Sequence, residues 1–282
     1  MRQVQPVTHL FIFGLGYSAK RVAAAAEMRG WRVIATGSQG QIAFDDDDAV
    51  RDGLALSTHV LSSVPPSAGA DPVLDRYGPW LRQPWLGYLS STGVYGDLGG
   101  AWADESAPVG TGRRTDRSEA DAAWLERGAR VFRLPGIYGP GRSALERVRA
   151  GKAHRIDLPH QVFSRVHVGD IVDGIVRGFD GPAGAFNLAD DFPCNQNLVI
   201  EEACRLTGLP CPPLLTLEQA QLSPMARAFY AENRRVANGK AKRVLGWRPR
   251  FADYRIGLRA LNATTSPTIA SAAPAAASQD QR

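Results

Sequence analysis

The sequence is poor in cysteine and contains no long apolar run. Its three cysteines, Cys194, Cys204 and Cys211, are odd in number and lack the paired spacing of metal ligands, which argues against a disulfide framework and against a metal site. The apolar run at residues 10–13 is far shorter than a membrane-spanning helix, and the first residues lack the apolar core of a signal peptide. We therefore expect a cytoplasmic protein that binds no metal and does not span a membrane.

A strong excess of charge is also missing. The formal net charge is +5 over 282 residues, which suits a phosphate-bearing ligand but is equally ordinary for a soluble protein. We expect no nucleic-acid partner. The length is sufficient for one full hydrophobic core and a smaller second lobe.

Short apolar runs alternate with helical patterns along the first half of the chain. This alternation is typical of a parallel sheet whose strands are joined by crossover helices. It predicts an α/β fold of the Rossmann type, a doubly wound parallel sheet, with a smaller C-terminal α/β lobe for a substrate. The six predicted strands are residues 8–13, 31–36, 42–44, 58–64, 85–91 and 129–134.

Beyond about residue 138 the pattern loosens and predicts the second lobe. Helices are expected at residues 143–150, 170–179, 197–206 and 225–245, and strands at 162–168 and 185–188. We assign residues 1–139 to the first domain, to which part of 163–190 and the late helices return, and residues 140–262 mainly to the second lobe. Residues 263–282, rich in Ala, Ser, Thr and Pro without periodicity, are predicted to form a disordered tail.

A Gly-x-Gly-x-x-Ala turn joins the first predicted strand to an alanine-rich helix. Gly14 permits the tight turn, Gly16 lets the backbone approach a pyrophosphate, and Ala19 allows the helix to pack on the strand. The phosphates would lie at the helix N-terminus, beside Tyr17 and Ser18, where free N–H groups and the helix dipole favour anions. The motif predicts a dinucleotide-binding site; the alternative is a glycine-rich turn with only a structural role.

The end of the second predicted strand bears on the identity of the dinucleotide. An acidic residue here would bind the ribose of NAD, but the sequence has Thr36, Gly37 and Ser38, with no carboxylate to repel a 2′-phosphate. The two hydroxyls could donate hydrogen bonds to that phosphate, and Lys20 or Arg21 of the first helix is near in sequence. These residues favour NADP over NAD.

Several later segments match, in order, the motifs of a known family. They are residues 88–96 (YLSSTGVYG), 104–108 (DESAP), 133–141 (RLPGIYGPG), 165–171 (RVHVGDI), 187–191 (NLADD) and 245–249 (LGWRP). Through them the chain resembles the extended short-chain dehydrogenases/reductases, the NAD(P)-dependent epimerase/dehydratase group. The resemblance implies that the nicotinamide of NAD(P) lies near Ser91, Tyr138 and the turn formed by Pro135, Gly136 and Ile137.

The chain departs from this family at the catalytic residues. The family uses a Ser or Thr, a Tyr, and a Lys four residues after the Tyr. Ser91 matches the first, but Arg113 stands at the tyrosine position and Arg117 at the lysine position. Arginine stays protonated and cannot shuttle a proton, although Arg117 could still bind ribose hydroxyls or an acidic substrate. Tyr95, four residues after Ser91, is a candidate replacement for the tyrosine, with packing beneath the lobe as its alternative role.

Two functional hypotheses follow. The first is an NAD(P)-dependent oxidoreductase or epimerase/dehydratase-like enzyme that acts on a hydroxyl or carbonyl group of a small molecule, with a nucleotide sugar as one candidate. Its catalytic residues would be Ser91, Tyr95 and Arg117. The second is a non-catalytic NADP(H)-binding sensor or partner protein that has lost the proton relay. The resemblance leaves both a monomer and a homodimer open. The basic segment 234–243 is expected to form a solvated face from which one arginine could reach the cleft.

Overall fold

The computed structural model describes residues 7–265 except 68, 113 and 114. In this range the strands are β1 (His9–Phe13), β2 (Arg32–Ala35), β3 (His59–Ser62), β4 (Trp85–Ser91), β5 (Trp102–Ala103), β6 (Arg130–Leu134), β7 (Gly136–Tyr138), β8 (Arg155–Ile156), β9 (Arg165–His167), β10 (Gly184–Asn187), β11 (Leu214–Leu215) and β12 (Arg235–Val236). The α-helices are α1 (Tyr17–Glu27), α2 (Asp47–Leu56), α3 (Pro72–Tyr77), α4 (Thr115–Glu126), α5 (Ala144–Arg149), α6 (Val168–Gly178), α7 (Gln196–Thr207), α8 (Pro224–Ala228), α9 (Gly239–Val244) and α10 (Tyr254–Thr265). Short 3-10 turns occupy Gly78–Trp80, Thr92–Tyr95 and Phe229–Ala231.

Six parallel strands form the central sheet in the order β10-β6-β4-β3-β1-β2. The strand β1 lies between β2 and β3, so the chain winds outward from it in both directions. In open parallel sheets the crevice at the carboxyl ends of the strands, beside such a reversal, is where ligands bind. The topology therefore places a candidate site above the ends of β1 and β4.

Helices cover both faces of this sheet, and β1 shows why. Leu10 and Ile12 point to one face, where they join a core cluster with apolar residues of α1 and α6. Phe11 and Phe13 point to the other face and pack with residues of α2, α3 and α4. A strand that is apolar on both faces is typical of a parallel sheet buried between helical layers. The predicted Rossmann-type α/β fold is confirmed.

The C-terminal elements form a smaller set beside the sheet. Helices α5, α7 and α10 pack together around a third core cluster that includes Leu145, Ile200 and Leu258. Three short parallel pairs, β7 with β9, β8 with β11 and β5 with β12, connect this part of the chain.

One predicted strand of the sheet is wrong. Residues 42–44 form no strand, and Ile42 makes only an isolated bridge with Thr36. The run is too short to hold a ladder, since α2 begins soon after it with Asp46 as its N-cap. The sixth strand of the sheet is instead β10, in which Phe186 lies opposite Phe132 of β6.

Two predictions near the C-terminus also need correction. Residues 225–245 are not one helix, because β12 separates α8 from α9 and pairs with β5, Arg235 lying opposite Trp102. Helix α10 continues to Thr265, so the first three residues of the predicted tail are helical. The remainder of 263–282 lies outside the described residues.

The described residues contain neither a membrane-spanning helix nor a cluster of metal ligands. None of their helices combines the length and apolarity needed to cross a membrane. The same residues contain no group of three or more His, Cys, Asp or Glu side chains that could hold a metal ion.

Candidate functional site

A cavity of about 880 Å³ lies where the carboxyl ends of the sheet strands meet the C-terminal elements. Its walls come from the start of α1, the end of β4, the segment after β6, and residues of α5, α7 and α10. The cavity brings together many of the residues predicted from the sequence. These are Gly16, Tyr17, Ser18, Ala19, Ser91, Arg117, Pro135, Gly136 and Ile137.

The glycine turn has the geometry that a dinucleotide requires. Gly14 has φ +81°, a conformation that favours glycine, and its N–H donates to Thr36 Oγ1 at 3.2 Å. A Cβ added at Gly16 would meet nothing within 4 Å, and its φ of −82° is open to any residue. Gly16 is the N-cap of α1. Because glycine has no side chain to cap the helix, N–H groups of the first turn remain available to an anion.

The end of β2 only partly matches the predicted cofactor contacts. Thr36 is fully buried, and its hydroxyl oxygen accepts the Gly14 N–H, so it holds the glycine turn. Gly14, Thr36, Gly37 and Ser38 are not part of the cavity wall. Ser38 is exposed nearby, and Lys20 Nζ donates to Gln39 Oε1 at 2.9 Å. The polar groups exposed near the glycine turn are therefore Ser38, Gln39 and Lys20.

Ser91 and Arg117 both line the cavity. The Ser91 Oγ accepts the Gly93 N–H at 3.1 Å, which leaves its own hydroxyl hydrogen free to donate. Arg117 Nη1 donates to Tyr88 Oη at 2.9 Å and lies 3.4 Å from the Leu89 carbonyl oxygen. The guanidinium is thus held against β4, the strand that ends at Ser91. Arg113, the residue at the tyrosine position of the family, lies outside the described residues.

The structure places Tyr95 in the buried interior and not in the cavity wall, unlike Ser91 and Arg117. It is fully buried and does not line the cavity, because the 3-10 turn after β4 directs its side chain inward. Its hydroxyl donates to Asn187 Oδ1 at 2.7 Å and accepts from Arg133 Nη1 at 3.0 Å. Arg133 in turn forms a buried ion pair with Asp121 at 2.6 Å. Burial raises the pKa of Tyr95, so its hydroxyl keeps its proton and serves as a structural link.

Tyr95→Phe is expected to lower stability without changing dinucleotide affinity. The substitution leaves Asn187 Oδ1 and Arg133 Nη1 without this partner, which costs about 1–3 kcal/mol of the free energy of unfolding. Denaturant unfolding and calorimetry measure the two quantities. Tyr138→Phe is the matched control for stability, since the buried Tyr138 hydroxyl has no hydrogen-bond partner among the described residues. Normal stability of Tyr95→Phe together with lost turnover would restore a catalytic role for Tyr95.

Sequence reasoning missed most of the arginines in the cavity wall. Arg142, Arg147 and Arg165 line it, although none was a candidate. Arg234 also lines it, and the basic segment 234–243 was the one signal that an arginine from there could reach the cleft. The others come from separate elements of the C-terminal half, so no local pattern joins them.

Arg142 lies beside the glycine turn. Its guanidinium carbon is 5.6 Å from the centroid of the Tyr17 ring, and that of Arg21 is 4.0 Å from the same centroid. The Tyr17 hydroxyl donates to the Pro140 carbonyl at 3.1 Å, which ties this loop to the start of α1. Two cations therefore flank the turn that was predicted to hold a pyrophosphate.

Comparison with known proteins finds structures that resemble most of the chain. No family model matches it. A functionally unknown conserved protein from Silicibacter pomeroyi is 40% identical, with a TM-score of 0.82, over 92% of this chain and 99% of that one. The human epimerase family protein SDR39U1, solved with NADPH, has a TM-score of 0.71 at 15% identity, over 91% of this chain and 99% of that one. Further structures of this fold are an epimerase and a dehydratase solved with NAD.

A curated relative matches part of the chain. The 3-diazoavenalumate denitrifying reductase of a Streptomyces species is 30% identical over 140 residues. This match spans 45% of the chain and 45% of the reductase, so the chain covers less than half the length of that relative.

Proposed function

Because the chain belongs to one family with the conserved Silicibacter pomeroyi protein and has the epimerase/dehydratase-like fold of the extended short-chain dehydrogenases/reductases, we propose that it is an NADP-dependent oxidoreductase acting on a small molecule. One observation carries the proposal: a single cavity is lined by Gly16 at the start of α1, a serine with a free hydroxyl hydrogen, and a fixed arginine. The likeness to NAD- and NADPH-bound proteins and to a reductase supports the same class of reaction.

The cavity residues fit a nicotinamide dinucleotide in their chemistry. The first turn of α1 offers N–H donors, Gly16 leaves open space beside them, and Arg142 adds positive charge. Pro135, Gly136 and Ile137 form the wall at which we place the nicotinamide. When bound, the cofactor supplies or accepts a hydride.

The residues of the chain would stabilise charge on the substrate oxygen. Ser91 donates its hydroxyl hydrogen to that oxygen, and Arg117 places a permanent positive charge beside it. Residues 96–137 contain neither Tyr nor Lys, so no relay of the family type is available in that segment. The proton that completes a reduction is taken from water. This arrangement suits a substrate whose reaction depends more on charge stabilisation than on a fast proton relay.

The missing pair also supports a second candidate, a non-catalytic NADP(H) sensor or partner protein. Residues 96–137 without Tyr or Lys are the observation in its favour. The two candidates share the cofactor and differ only in turnover. Binding of NADPH without oxidation of the cofactor by any carbonyl substrate would favour the sensor.

Parallel calorimetric titrations with NADPH and NADH test the shared part of the proposal. We expect the protein to bind NADPH more tightly, and Lys20→Gln to weaken NADPH binding about tenfold while leaving NADH unchanged, as loss of one charge-assisted hydrogen bond implies. Lys152→Gln, an exposed substitution outside the cavity wall, is the control. Equal affinities for both cofactors would remove the preference for NADP, and binding of neither would remove the proposed function.

A further inference from the structure

The cavity wall carries an excess of positive charge. Among the described residues, its charged side chains are those of Arg117, Arg142, Arg147, Arg165 and Arg234 against Glu146 and Glu232. Glu232 pairs with Arg234 at 2.9 Å, which cancels both charges. Glu146 accepts hydrogen bonds from the backbone N–H groups of Gly141 and Ser143 in the cap of α5. The remaining arginines make the cavity electropositive.

Two of these arginines, Arg147 of α5 and Arg165 of β9, line the cavity from the C-terminal elements. Arg147 is exposed on α5 and forms no ion pair with a carboxylate of the described residues. Arg165 is only 5% exposed and donates to Cys194 Sγ at 3.0 Å, again with no ion pair within residues 7–265 as described. Its carboxyl neighbour Asp190 is buried, and burial raises the pKa of that group to about 8. Asp190 is therefore largely protonated at neutral pH and does not cancel the charge of Arg165.

An aromatic wall lies in the same part of the cavity. Phe163 and Phe229 stack with centroids 5.1 Å apart, and Tyr230 meets Phe163 edge to face at 5.6 Å. Phe229 is 49% exposed, so its ring remains available to a ligand. Arg147 is close enough to Tyr230 to act on its hydroxyl electrostatically. The aromatic cluster thus has a cation beside Tyr230 that forms no ion pair with the described part of the chain.

We propose that the part of the cavity lined by Arg147, Phe163 and Phe229 binds a conjugated or aromatic carboxylic acid. Its carboxylate would pair with Arg147, and its planar body would lie against Phe229 and Phe163. The assignment rests on the proposed function, because the dinucleotide is proposed to fill the part of the cavity lined by Gly16 and residues 135–137. It narrows the substrate class to a planar anion.

Titration of the NADPH-saturated protein with cinnamate and with cinnamamide tests this assignment. The two probes have the same planar body and differ in charge, so we expect the acid to bind at least about tenfold more tightly than the amide. Arg147→Gln should remove that difference, because it removes the positive charge that only the acid can use. Arg149→Gln is the control, since Arg149 lies on the same helix but outside the cavity wall.

Each other outcome overturns the inference. Equal binding of acid and amide, or an unchanged preference for the acid in Arg147→Gln, would show that Arg147 does not bind the carboxylate of the acid. Tighter binding of UDP-glucose than of cinnamate would assign the pocket to a nucleotide sugar. If NADPH binds and neither planar probe does, the inference fails while the proposed function stands. If NADPH does not bind, the proposed function fails, and the same titration on the cofactor-free protein decides the inference.

Discussion

Gly16→Val is expected to abolish NADPH binding and to leave the fold intact. The variant separates ligand binding from folding because a Cβ at this position meets no protein atom within 4 Å and needs no unusual backbone angle. The pyrophosphate would occupy the same open space at the glycine turn, so a branched side chain would exclude it. We expect affinity to fall by more than about 100-fold, or about 2.7 kcal/mol.

Calorimetry and thermal unfolding together give the result. Ala24→Val is the matched control, because Ala24 lies on the exposed face of the same helix and outside the cavity wall. Both variants should unfold near the temperature of the parent protein, and only Gly16→Val should fail to bind. A folded Gly16→Val with normal NADPH affinity would mean that the dinucleotide does not lie at this turn.

Ser91→Ala is expected to lower turnover by about 100-fold, as found when one donor to a developing oxyanion is removed. The Ser91 Oγ accepts the Gly93 N–H, and its own hydrogen would be donated to the substrate. Ser91→Ala therefore removes both hydrogen bonds. NADPH affinity should not change, because the glycine turn and α1 are untouched. The measurement is kcat with a carbonyl substrate, alongside calorimetry with NADPH.

Ser91→Thr keeps a hydroxyl at the same position and should retain most of the turnover. Rescue by threonine would show that turnover needs a hydroxyl at this position, while thermal unfolding of Ser91→Ala measures the loss of the cap of the 3-10 turn. Full activity of Ser91→Ala would place the chemistry elsewhere in the cavity. Absence of turnover in the parent protein, with NADPH still bound, would favour the sensor.

The parts of the site that follow from the sequence are those set by neighbouring residues. Gly14 and Gly16 belong to one turn, and Ser91 ends a strand whose bounds, Trp85–Ser91, match the prediction. In both cases the local pattern contains the feature that fixes the backbone.

The parts that could not be predicted depend on packing between distant segments. Thr36 lies at the expected strand end, but its hydroxyl is taken by Gly14, 22 residues earlier. Tyr95 follows Ser91 closely, yet its hydroxyl is held by Asn187, 92 residues later. Arg147 gains its setting from Tyr230 on another element. A local pattern specifies where a side chain begins, whereas its direction and partners depend on the completed fold.

The position of β10 in the sheet has a consequence for the order in which the protein folds. This edge strand pairs with β6, and α6, which precedes it, packs on α1 near the start of the chain. During synthesis from the N-terminus, the first five strands of the sheet are made before residue 184, but the edge of β6 stays unpaired until β10 emerges. An open parallel edge is prone to wrong pairing with another chain. The sheet is therefore complete only after residues 184–187 have been made, although its other five strands all lie before them in the chain.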